Sequence, residues 1–451
     1  MASVKTDMTE GAGWKKILVF SIPIMLGNLL QQMYNTIDGI IVGRMVDSDA
    51  LAAVGNCATV SALLIAVAIG FSAGCSIIIA HYMGAKREDE LKATFATGLI
   101  LVIALSIVFM AVGIVGHHWL LGVVLNIKDE VILEYAKGYL IVYCIGLIFT
   151  YCYNYIAYIL RAMGDSRATL YFLAVASVMN LLLDMIFVRR MGVVGAAWAT
   201  VVSQCVCFLF SYHYMSKHYA IFAFKNLPFR PDREKVGQCI TLGLPSVMQQ
   251  CSVSLGQGAM QRLVNSYGGV TMAAYTVGSK MERYCTVPIL AVQQGMSTFT
   301  GQNMGAGRER RVKKTLWHTE IMILILTSIV SIPIAVFAPR FAALFGVSGE
   351  ILNQAVEYVR FAMPWCTWIF AAYLACAGVL QSAGDVKFTT FISLSSLAVR
   401  AIVAYIMAGC FHAEYPIIWQ SLLISYVWSI VFAWIRYFSG VWKKKSEAIM
   451  K

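Results

Sequence analysis

Two acidic residues stand inside long apolar stretches of this sequence, where a carboxylate is costly to bury. Asp38 lies near the end of the first apolar stretch, and Asp184 lies within the fifth. Tyr34 precedes Asp38 by four residues and Asn180 precedes Asp184 by four, so each pair shares one face of a helix. Such carboxylates, with amide and hydroxyl neighbours, can take up and release a proton or can ligate a sodium ion. The residue types allow both.

Three further residues of the same half of the chain belong to this predicted cation-coupling site or to its movement. Asn154 adds an amide and Thr200 adds a hydroxyl. For a sodium ion, the predicted metal ligands are the two acids and Asn180. Pro23 lacks a backbone donor, so it permits a bend and is the predicted hinge. The alternative for Asp38 is a structural one, in which the carboxylate lies close enough to the membrane interface to be solvated.

The second half of the chain carries a different set of charges within its apolar stretches. Lys280, Glu282 and Arg283 occur together, and Arg400 aligns with Asn180 when the halves are compared with a shift of about 220 residues. These charges could bind a substrate or act as a movable counter-charge. They could equally form an internal salt-bridge cluster, since an unpaired charge at that depth is costly.

The elements that position these residues are predicted from the composition. Of the 451 residues, 59% are hydrophobic and 13% are charged, whereas soluble domains carry about 25% charged residues. Mean hydropathy is +0.71. The apolar stretches exceed the ~20 residues that cross a bilayer as a helix, and they are too long for barrel strands. The sequence therefore predicts an all-α polytopic membrane protein.

Composition also argues against several other classes of protein. The net charge of +12 is scattered through short loops, and no basic face with interleaved aromatics indicates a nucleic-acid partner. The 12 cysteines lie mostly in apolar stretches without a CxxC pair, so we predict neither a disulfide framework nor a metal cofactor. No HExxH, nucleophile elbow or GxxxxGK motif is present, which argues against an enzyme.

We predict twelve transmembrane helices, six on each side of a basic connector. They are expected at residues 14–42, 51–82, 93–119, 132–160, 168–188, 192–215, 236–267, 270–302, 315–337, 352–380, 388–408 and 415–438. The predicted domains are an N-lobe (1–215), a cytoplasmic connector (216–235) and a C-lobe (236–451).

Two loop motifs recur in the same order in both halves. MGAKRE at 83–88 matches MGAGRE at 304–309, and the GD of 164–165 matches the GD of 384–385. They indicate an internal duplication of a six-helix unit. Because six is even, the two lobes are expected to be related by a pseudo-two-fold axis normal to the membrane.

Most of the 35 Lys and Arg residues fall in alternate loops and at the two ends of the chain. By the positive-inside rule, both termini and the connector are expected to be cytoplasmic. We expect no removable signal peptide, which fits a bacterial inner (plasma) membrane.

The ordered set of motifs resembles the multidrug and toxic compound extrusion (MATE) transporters over essentially the whole chain. It comprises PIMLGNLLQQ at 23–32, IDGIIVG at 37–43, the MGA loops, and GDSR at 164–167 leading to NLLLD at 180–184. The set is most similar to the branch related to the DNA-damage-inducible F type. The resemblance implies a V-shaped fold with alternating access and drug export driven by protons or sodium.

The same resemblance implies a cation site in the N-lobe. Its residues here are Asp38, Tyr34, Asn154, Asn180 and Asp184. The chain departs from the norfloxacin-resistance branch, which would carry acids in spans seven and ten for a C-lobe sodium site. Span seven has no acid, and the acid in span ten, Glu357, lies near its outer end. Coupling in the N-lobe is therefore expected, with protons favoured over sodium.

The expected function is a secondary antiporter that exports amphipathic, cationic, drug-like compounds and works as a monomer in the lipid bilayer. The alternative among transporters is a flippase for a lipid-linked saccharide or lipid. A non-transporting receptor or scaffold would not need carboxylates within its spans.

Overall fold

The computed structural model of the protein describes residues 6–124, 127, 129–228 and 230–450. Within its helices, the side chains at 34–36, 38–40, 43–44, 48, 123–124 and 224 lie outside the description. The predicted roles of Tyr34 and Asp38 therefore concern side chains outside the described part. In the described residues the regular structure is all helical, as predicted.

Fifteen helices make up the body of the protein. They are α1 Gly13–Met45, α2 Ser48–Ala85, α3 Glu88–Val115, α4 Glu130–Ile145, α5 Leu147–Ala162, α6 Ser166–Met191, α7 Val193–His218, α8 Arg233–Ser266, α9 Gly269–Gly305, α10 Glu309–Val336, α11 Gly349–Phe361, α12 Thr367–Ser382, α13 Val386–Cys410, α14 Ile417–Phe438 and α15 Val441–Met450. Short helical segments lie at His117–Trp119, Leu120–Val124, Ala220–Phe222, Phe224–Asn226, Ala338–Ala343 and Ala362–Cys366.

Each predicted span falls on one long helix or on two consecutive ones. The fourth span is the pair α4 and α5, which bends by 50° at Gly146. The tenth is α11 and α12, joined by one π-helical segment. In the described chain, nine spans are long and apolar enough to cross a membrane, and ten if the bent pair is counted. Helices α8 and α9 have 34 and 37 residues, but they are too polar to be recognised by hydropathy.

The two GD loops have the same backbone conformation. Gly164 and Gly384 both adopt φ +88°, a left-handed conformation that glycine tolerates without strain. In each loop the N–H of the following aspartate donates to a carbonyl five residues earlier, from Asp165 to Leu160 O at 2.8 Å and from Asp385 to Leu380 O at 3.0 Å. This Schellman geometry ends the preceding helix. The duplication is thus visible in the backbone.

The two MGA loops also share one backbone conformation, although the residue at the left-handed position differs. Lys86 adopts φ 57° in the first loop and Gly307 adopts φ 71° in the second. Each donates its N–H to the methionine carbonyl three residues earlier, at 3.2 Å and 3.0 Å. Lysine bears a Cβ there, and left-handed backbone costs such residues about 1–2 kcal/mol. The first loop therefore stores strain that the second avoids.

The chain forms two compact units, and two helices contribute to both. One unit comprises residues 1–6 and 26–250, and the other comprises 7–25 and 251–451. The membership of α1 changes after Met25, two residues beyond Pro23, and that of α8 changes after Gln250, five residues beyond Pro245. The predicted boundary between the N-lobe and the C-lobe, the connector at 216–235, stays a prediction.

In the first unit, the contacts of a buried lysine stabilise the start of α8. Lys235 is 3% exposed, its Nζ lies 2.5 Å from Glu90 Oε2, and it donates to the Tyr82 hydroxyl at 2.8 Å. Burial alone would lower the pKa of Lys235, but the hydrogen bonds to Glu90 and Tyr82 raise it. The lysine therefore remains charged. The same unit packs α6 on α7 and α2 on α5.

In the second unit α9 packs against α10, α11 and α12. The segment before α1 is anchored on the end of α9: the backbone N–H of Met8 donates to Gln302 Oε1 at 3.2 Å, and Asn303 Nδ2 donates to Met8 O at 3.0 Å. The Met8 side chain is buried. Apolar side chains of α1, α9, α10 and α12 form one core, and those of α9, α11 and α14 belong to a second.

The strain in the first MGA loop predicts the effect of exchanging the left-handed residues. Gly307→Ala places a Cβ in open space, so its cost of about 1 kcal/mol comes from the positive φ alone. Lys86→Gly should be neutral or stabilising. Thermal unfolding in detergent measures both. The matched control is Gly237→Ala, also in open space but within α8, which should stabilise by up to ~1 kcal/mol. A loss of stability in the control equal to that of Gly307→Ala would contradict the backbone explanation.

Breaking the Lys235 contact should destabilise the first unit. Lys235→Ala removes the hydrogen bond to the Tyr82 hydroxyl and the cation beside Glu90, and its cost should fall below the ~3–5 kcal/mol of a fully buried pair because Glu90 is 41% exposed. The matched control is Lys92→Ala, whose partner Asp89 is fully exposed, and which should cost well under 1 kcal/mol. Equal thermal shifts for the two variants would show that Lys235 is no anchor.

Candidate ion-coupling site

The predicted carboxylate Asp184 lies on α6, which packs on α7 in the first unit. Helix α6 begins where the Asp165 side chain accepts from the N–H of Ala168 at 3.1 Å. It ends at Gly192, whose φ of 59° turns the chain into α7. Near that turn, a Cβ on Gly195 would meet the Phe187 carbonyl oxygen at 2.3 Å. This close approach brings the polar faces of the two helices together.

Asn180 lies between Asp184 and α7. Asn180 is 2% exposed and Asp184 is fully buried at 0%. In the amide orientation that suits both neighbours, Nδ2 of Asn180 donates to Asp184 Oδ2 at 2.8 Å. The amide oxygen then accepts from the backbone N–H of Thr200 at 3.2 Å. The side chain thus links the carboxylate to the neighbouring helix, and the four-residue spacing places both groups on one face as predicted.

Thr200 and Asn154 make local hydrogen bonds. The Thr200 hydroxyl donates to Ala196 O at 3.1 Å within α7, so it turns toward its own helix while its backbone N–H faces Asn180. Asn154 Nδ2 donates to Thr150 O at 2.8 Å within α5. Over the described residues, Asn180, Asp184 and Thr200 come together, whereas no described hydrogen bond links Asn154 to them.

The chemistry open to this centre follows from its donors. A carboxylate at 0% exposure needs either a proton or a cation nearby, because a bare charge in low dielectric costs several kcal/mol. The Asn180 amide can donate to the ionised carboxylate, and it can turn its oxygen toward a protonated acid or a cation. Among the described residues, no group of three His, Cys, Asp or Glu side chains could hold a metal ion. The carboxylate and the amide offer oxygen atoms to a proton or to a monovalent cation.

A second polar centre lies within the second unit, around Glu282. The hydroxyl of Tyr358 donates to Glu282 Oε2, and that of Tyr426 donates to Oε1 at 3.5 Å. The positive charge of Arg400 interacts with Glu282 and with Tyr275, Tyr358 and Tyr426. The Arg400 Nε is buried and has no hydrogen-bond partner in the described part of the protein.

The structure separates the four charges predicted in this half. Glu282 and Arg400 share the tyrosine-lined centre. Lys280 and Arg283 are exposed, and the Lys280 ammonium lies over the Phe345 ring at 5.9 Å from its centroid. Only part of the predicted cluster is therefore interior.

Sequence reasoning missed the tyrosines that surround Glu282, and it missed the buried acid Glu320 of α10. Tyr358 lies one turn before the π-helical segment Ala362–Cys366, and nothing in its local sequence separates it from the other aromatic residues. The sequence could have identified Glu320, because it is the acid within the predicted ninth span. The twelve cysteines are free thiols.

Comparisons with known proteins agree along the length of the chain. The MatE family model matches residues 23–186 and 245–406. The chain is 28% identical over 441 residues, 97% of both proteins, to the probable multidrug resistance protein YpnP of Bacillus subtilis (strain 168). It is 22% identical over 414 residues to the multidrug export protein MepA of Staphylococcus aureus (strain MSSA476), covering 91% of this chain and 90% of that protein.

Solved structures share the fold. An outward-facing multidrug resistance MATE family transporter of the MOP superfamily superposes with a TM-score of 0.88 and 25% identity, covering 98% of this chain and 100% of the other. A MATE structure in the bent conformation gives 0.90 and 26%, covering 99% and 100%. These matches support the predicted architecture of two six-helix lobes.

The tyrosine bond to Glu282 predicts a loss of stability on Tyr358→Phe. The substitution removes a hydroxyl bonded to a carboxylate, a bond worth about 1.5–3 kcal/mol, while the aromatic packing remains. Thermal unfolding in detergent measures the effect. The control is Tyr284→Phe, an exposed tyrosine of the same pair of helices, which should change stability by less than ~0.5 kcal/mol. A neutral Tyr358→Phe would mean that the hydroxyl contributes nothing to the centre.

Proposed function

Because this chain belongs to the MatE family of multidrug transporters, we propose that it is a secondary antiporter that exports amphipathic, cationic organic compounds in exchange for protons. The observation that carries the coupling is the fully buried Asp184 beside Asn180. The family accounts for export, and the buried carboxylate supplies a group whose charge can change during the cycle.

The proposed cycle uses that change of charge. Protonation of Asp38 and Asp184 from outside rearranges the α1 segment around Pro23 and releases the drug outward. Loss of the protons to the cytoplasm restores the drug-binding state, so the protein opens to one side of the membrane at a time. Pro23 suits this role because it removes one helical hydrogen bond close to the point where α1 passes from one compact unit to the other.

Sodium is the rival coupling ion. Sodium would take oxygen ligands from Asp38, Asp184 and the amide oxygen of Asn180. In the orientation that links Asp184 to Thr200, the amide presents its N–H to the carboxylate and its oxygen to Thr200, so a cation shared by Asp184 and Asn180 would require the amide to turn. Protons are therefore proposed first, and the transport assay separates the two.

We propose this class of substrate because relatives of the chain are named for multidrug resistance and multidrug export. We propose efflux of amphipathic cations driven by a proton gradient, with the protein as a monomer in a bacterial inner membrane and with both termini cytoplasmic. Within the family, the branch related to the DNA-damage-inducible F type is proposed, because the acids favour coupling in the first half of the chain.

A flippase for a lipid-linked saccharide is the second candidate, and Arg400 is the observation that favours it. Its half-buried guanidinium faces tyrosines and one acid, a setting that could accept an anionic headgroup. A vesicle assay with fluorescent anionic lipids would show headgroup translocation that Arg400→Gln abolishes.

Transport in inverted vesicles tests the proposed antiport. Uptake of a fluorescent cationic dye should follow an imposed proton gradient, and Asp184→Asn and Asp38→Asn should each abolish most of it, because neither amide can release a proton. Asp89→Asn is the matched control, since Asp89 is fully exposed, and it should transport as the wild type does.

The two gradients give distinct outcomes. Uptake driven by sodium alone would replace the proton mechanism with ion ligation at the same residues. Full proton-driven uptake by Asp184→Asn at normal expression would remove Asp184 from the coupling site. No dye movement under either gradient would favour the flippase.

A further inference from the structure

Glu320 is a buried acid that the proposed coupling site does not use. It lies on α10, about 16 Å along the helix axis from Glu309 at the helix start. It is 6% exposed, and neither carboxylate oxygen has a hydrogen-bond partner among the described residues. One turn to either side on the same face, Leu316 and Ile323 are fully buried in the apolar core of the second unit.

The helices that pack on α10 bring no described cation to Glu320. Residues 286–305 of α9 contain no ionisable side chain. On α12 the ionisable groups are Tyr373 and the buried thiol of Cys376, and the thiol is the one that interacts electrostatically with Glu320. Apart from Glu320, the residues of α10 that can carry a charge all lie on its partly or fully exposed faces; they are Glu309, Arg310, Arg311, Lys313, Lys314 and His318.

The remaining neighbours of α10 place their charges at its two ends. Helix α11 carries Glu350, Glu357 and Arg360 together with Tyr358, whose hydroxyl donates to Glu282. The short segments Ala338–Ala343 and Ala362–Cys366 carry Arg340 and Cys366. At the other end, α1 begins against Thr315, with Lys15 exposed and Lys16 half-buried. No Lys, Arg or His nitrogen of the described residues lies within 4.0 Å of the Glu320 carboxylate.

An ionised carboxylate in such surroundings costs several kcal/mol, and a proton removes that cost. The conformation described here is therefore stable with Glu320 neutral. Release of the proton requires a second state in which water or a cation reaches the carboxylate. A buried acid with these properties is a proton-binding site that conformation can load and unload.

A polar stripe leads away from Glu320 along its own helix. Thr327 and Ser331 lie seven and eleven residues further on, so they share its face. Both are fully buried, and neither hydroxyl has a hydrogen-bond partner in the described structure. The axial rise from Glu320 to Thr327 is about 10 Å, a gap that a few water molecules could bridge between groups able to donate and accept.

We propose that Glu320 is a second proton-binding site of this protein, loaded in the conformation described here and reached along the Thr327 and Ser331 hydroxyls. Its proton binding is a property of the second unit alone. Its use in the transport cycle rests on the proposed antiport function, in which Glu320 adds a proton to those exchanged at Asp38 and Asp184.

Infrared spectroscopy tests the binding step on the full-length protein in lipid nanodiscs. A protonated carboxylic acid gives a carbonyl stretch separate from that of a carboxylate. The wild type should show such a band at neutral pH, and Glu320→Gln should lose it while Asp184→Asn keeps it. Identical bands in wild type and Glu320→Gln would overturn the proposal. Gln matches the neutral acid in shape, so this variant should fold.

Hydrogen–deuterium exchange of the same band tests the path and does not depend on Glu320→Gln folding. In D2O the carbonyl stretch shifts as the acid proton exchanges. Thr327→Val matches threonine in shape without its hydroxyl, and it should slow the shift of the Glu320 band. The control is Thr276→Val, whose threonine is exposed on α9, and it should exchange at the wild-type rate. An unchanged rate in Thr327→Val would overturn the path.

Proton release on addition of a cationic dye, followed with a pH indicator in weak buffer, tests the use of the site. Wild type should release more protons than Glu320→Gln, and Asp184→Asn should remove a separate share. Release from Glu320→Gln equal to that of the wild type would overturn the transport role. A Glu320 band that is present while no gradient drives dye uptake would mean that the antiport function fails and the proton site stands.

Discussion

A bilayer offers no water to a buried carboxylate, so every acid inside this bundle must be neutral, paired or bonded to protein donors. The three buried or half-buried acids discussed above meet this requirement in three ways. Asp184 has an amide held against the next helix. Glu282 has tyrosine hydroxyls and the nearby charge of Arg400. Glu320 has neither in the described residues, which leaves protonation. The functional proposals follow from that difference in donors.

The two halves keep the same backbone conformation in their paired loops, but their side chains have diverged. The paired loops have matching glycine φ values and matching hydrogen bonds, because a helix can end in few ways. The aspartates of the GD loops nevertheless have different partners. Asp165 accepts from the Tyr214 hydroxyl at 2.9 Å, whereas Asp385 pairs with Arg436 at 2.7 Å. The same divergence sets Arg400 where the first half has Asn180. One scaffold thus carries an acidic centre in one half and a mixed-charge centre in the other.

The sequence predicted the helices well because the length of an apolar stretch and the charge of a loop can both be read from consecutive residues. It placed α8 and α9, which are too polar to pass a hydropathy test. It also placed Asn180 and Asp184 on one face, since spacing of four fixes that locally. The sequence could not predict the hydrogen bond between Glu282 and Tyr358, because those residues meet only through the packing of α9 on α11. Nor could spacing show that Lys280 and Arg283 face outward while their neighbour Glu282 faces inward.

Two helices with an interior proline, α1 and α8, contribute to both compact units. A continuous helix transmits displacement along its whole length, but a proline removes one hydrogen bond and weakens that transmission at one point. In α1 this point precedes the change of compact unit, and in α8 Pro245 occupies the corresponding place. The halves of each helix can then follow different units without breaking the remaining hydrogen bonds. In the proposed cycle, protonation of Asp38, which follows Pro23 in α1, would act on the part of that helix beyond the proline. The proposed route from protonation to the rest of the protein therefore needs no unfolding.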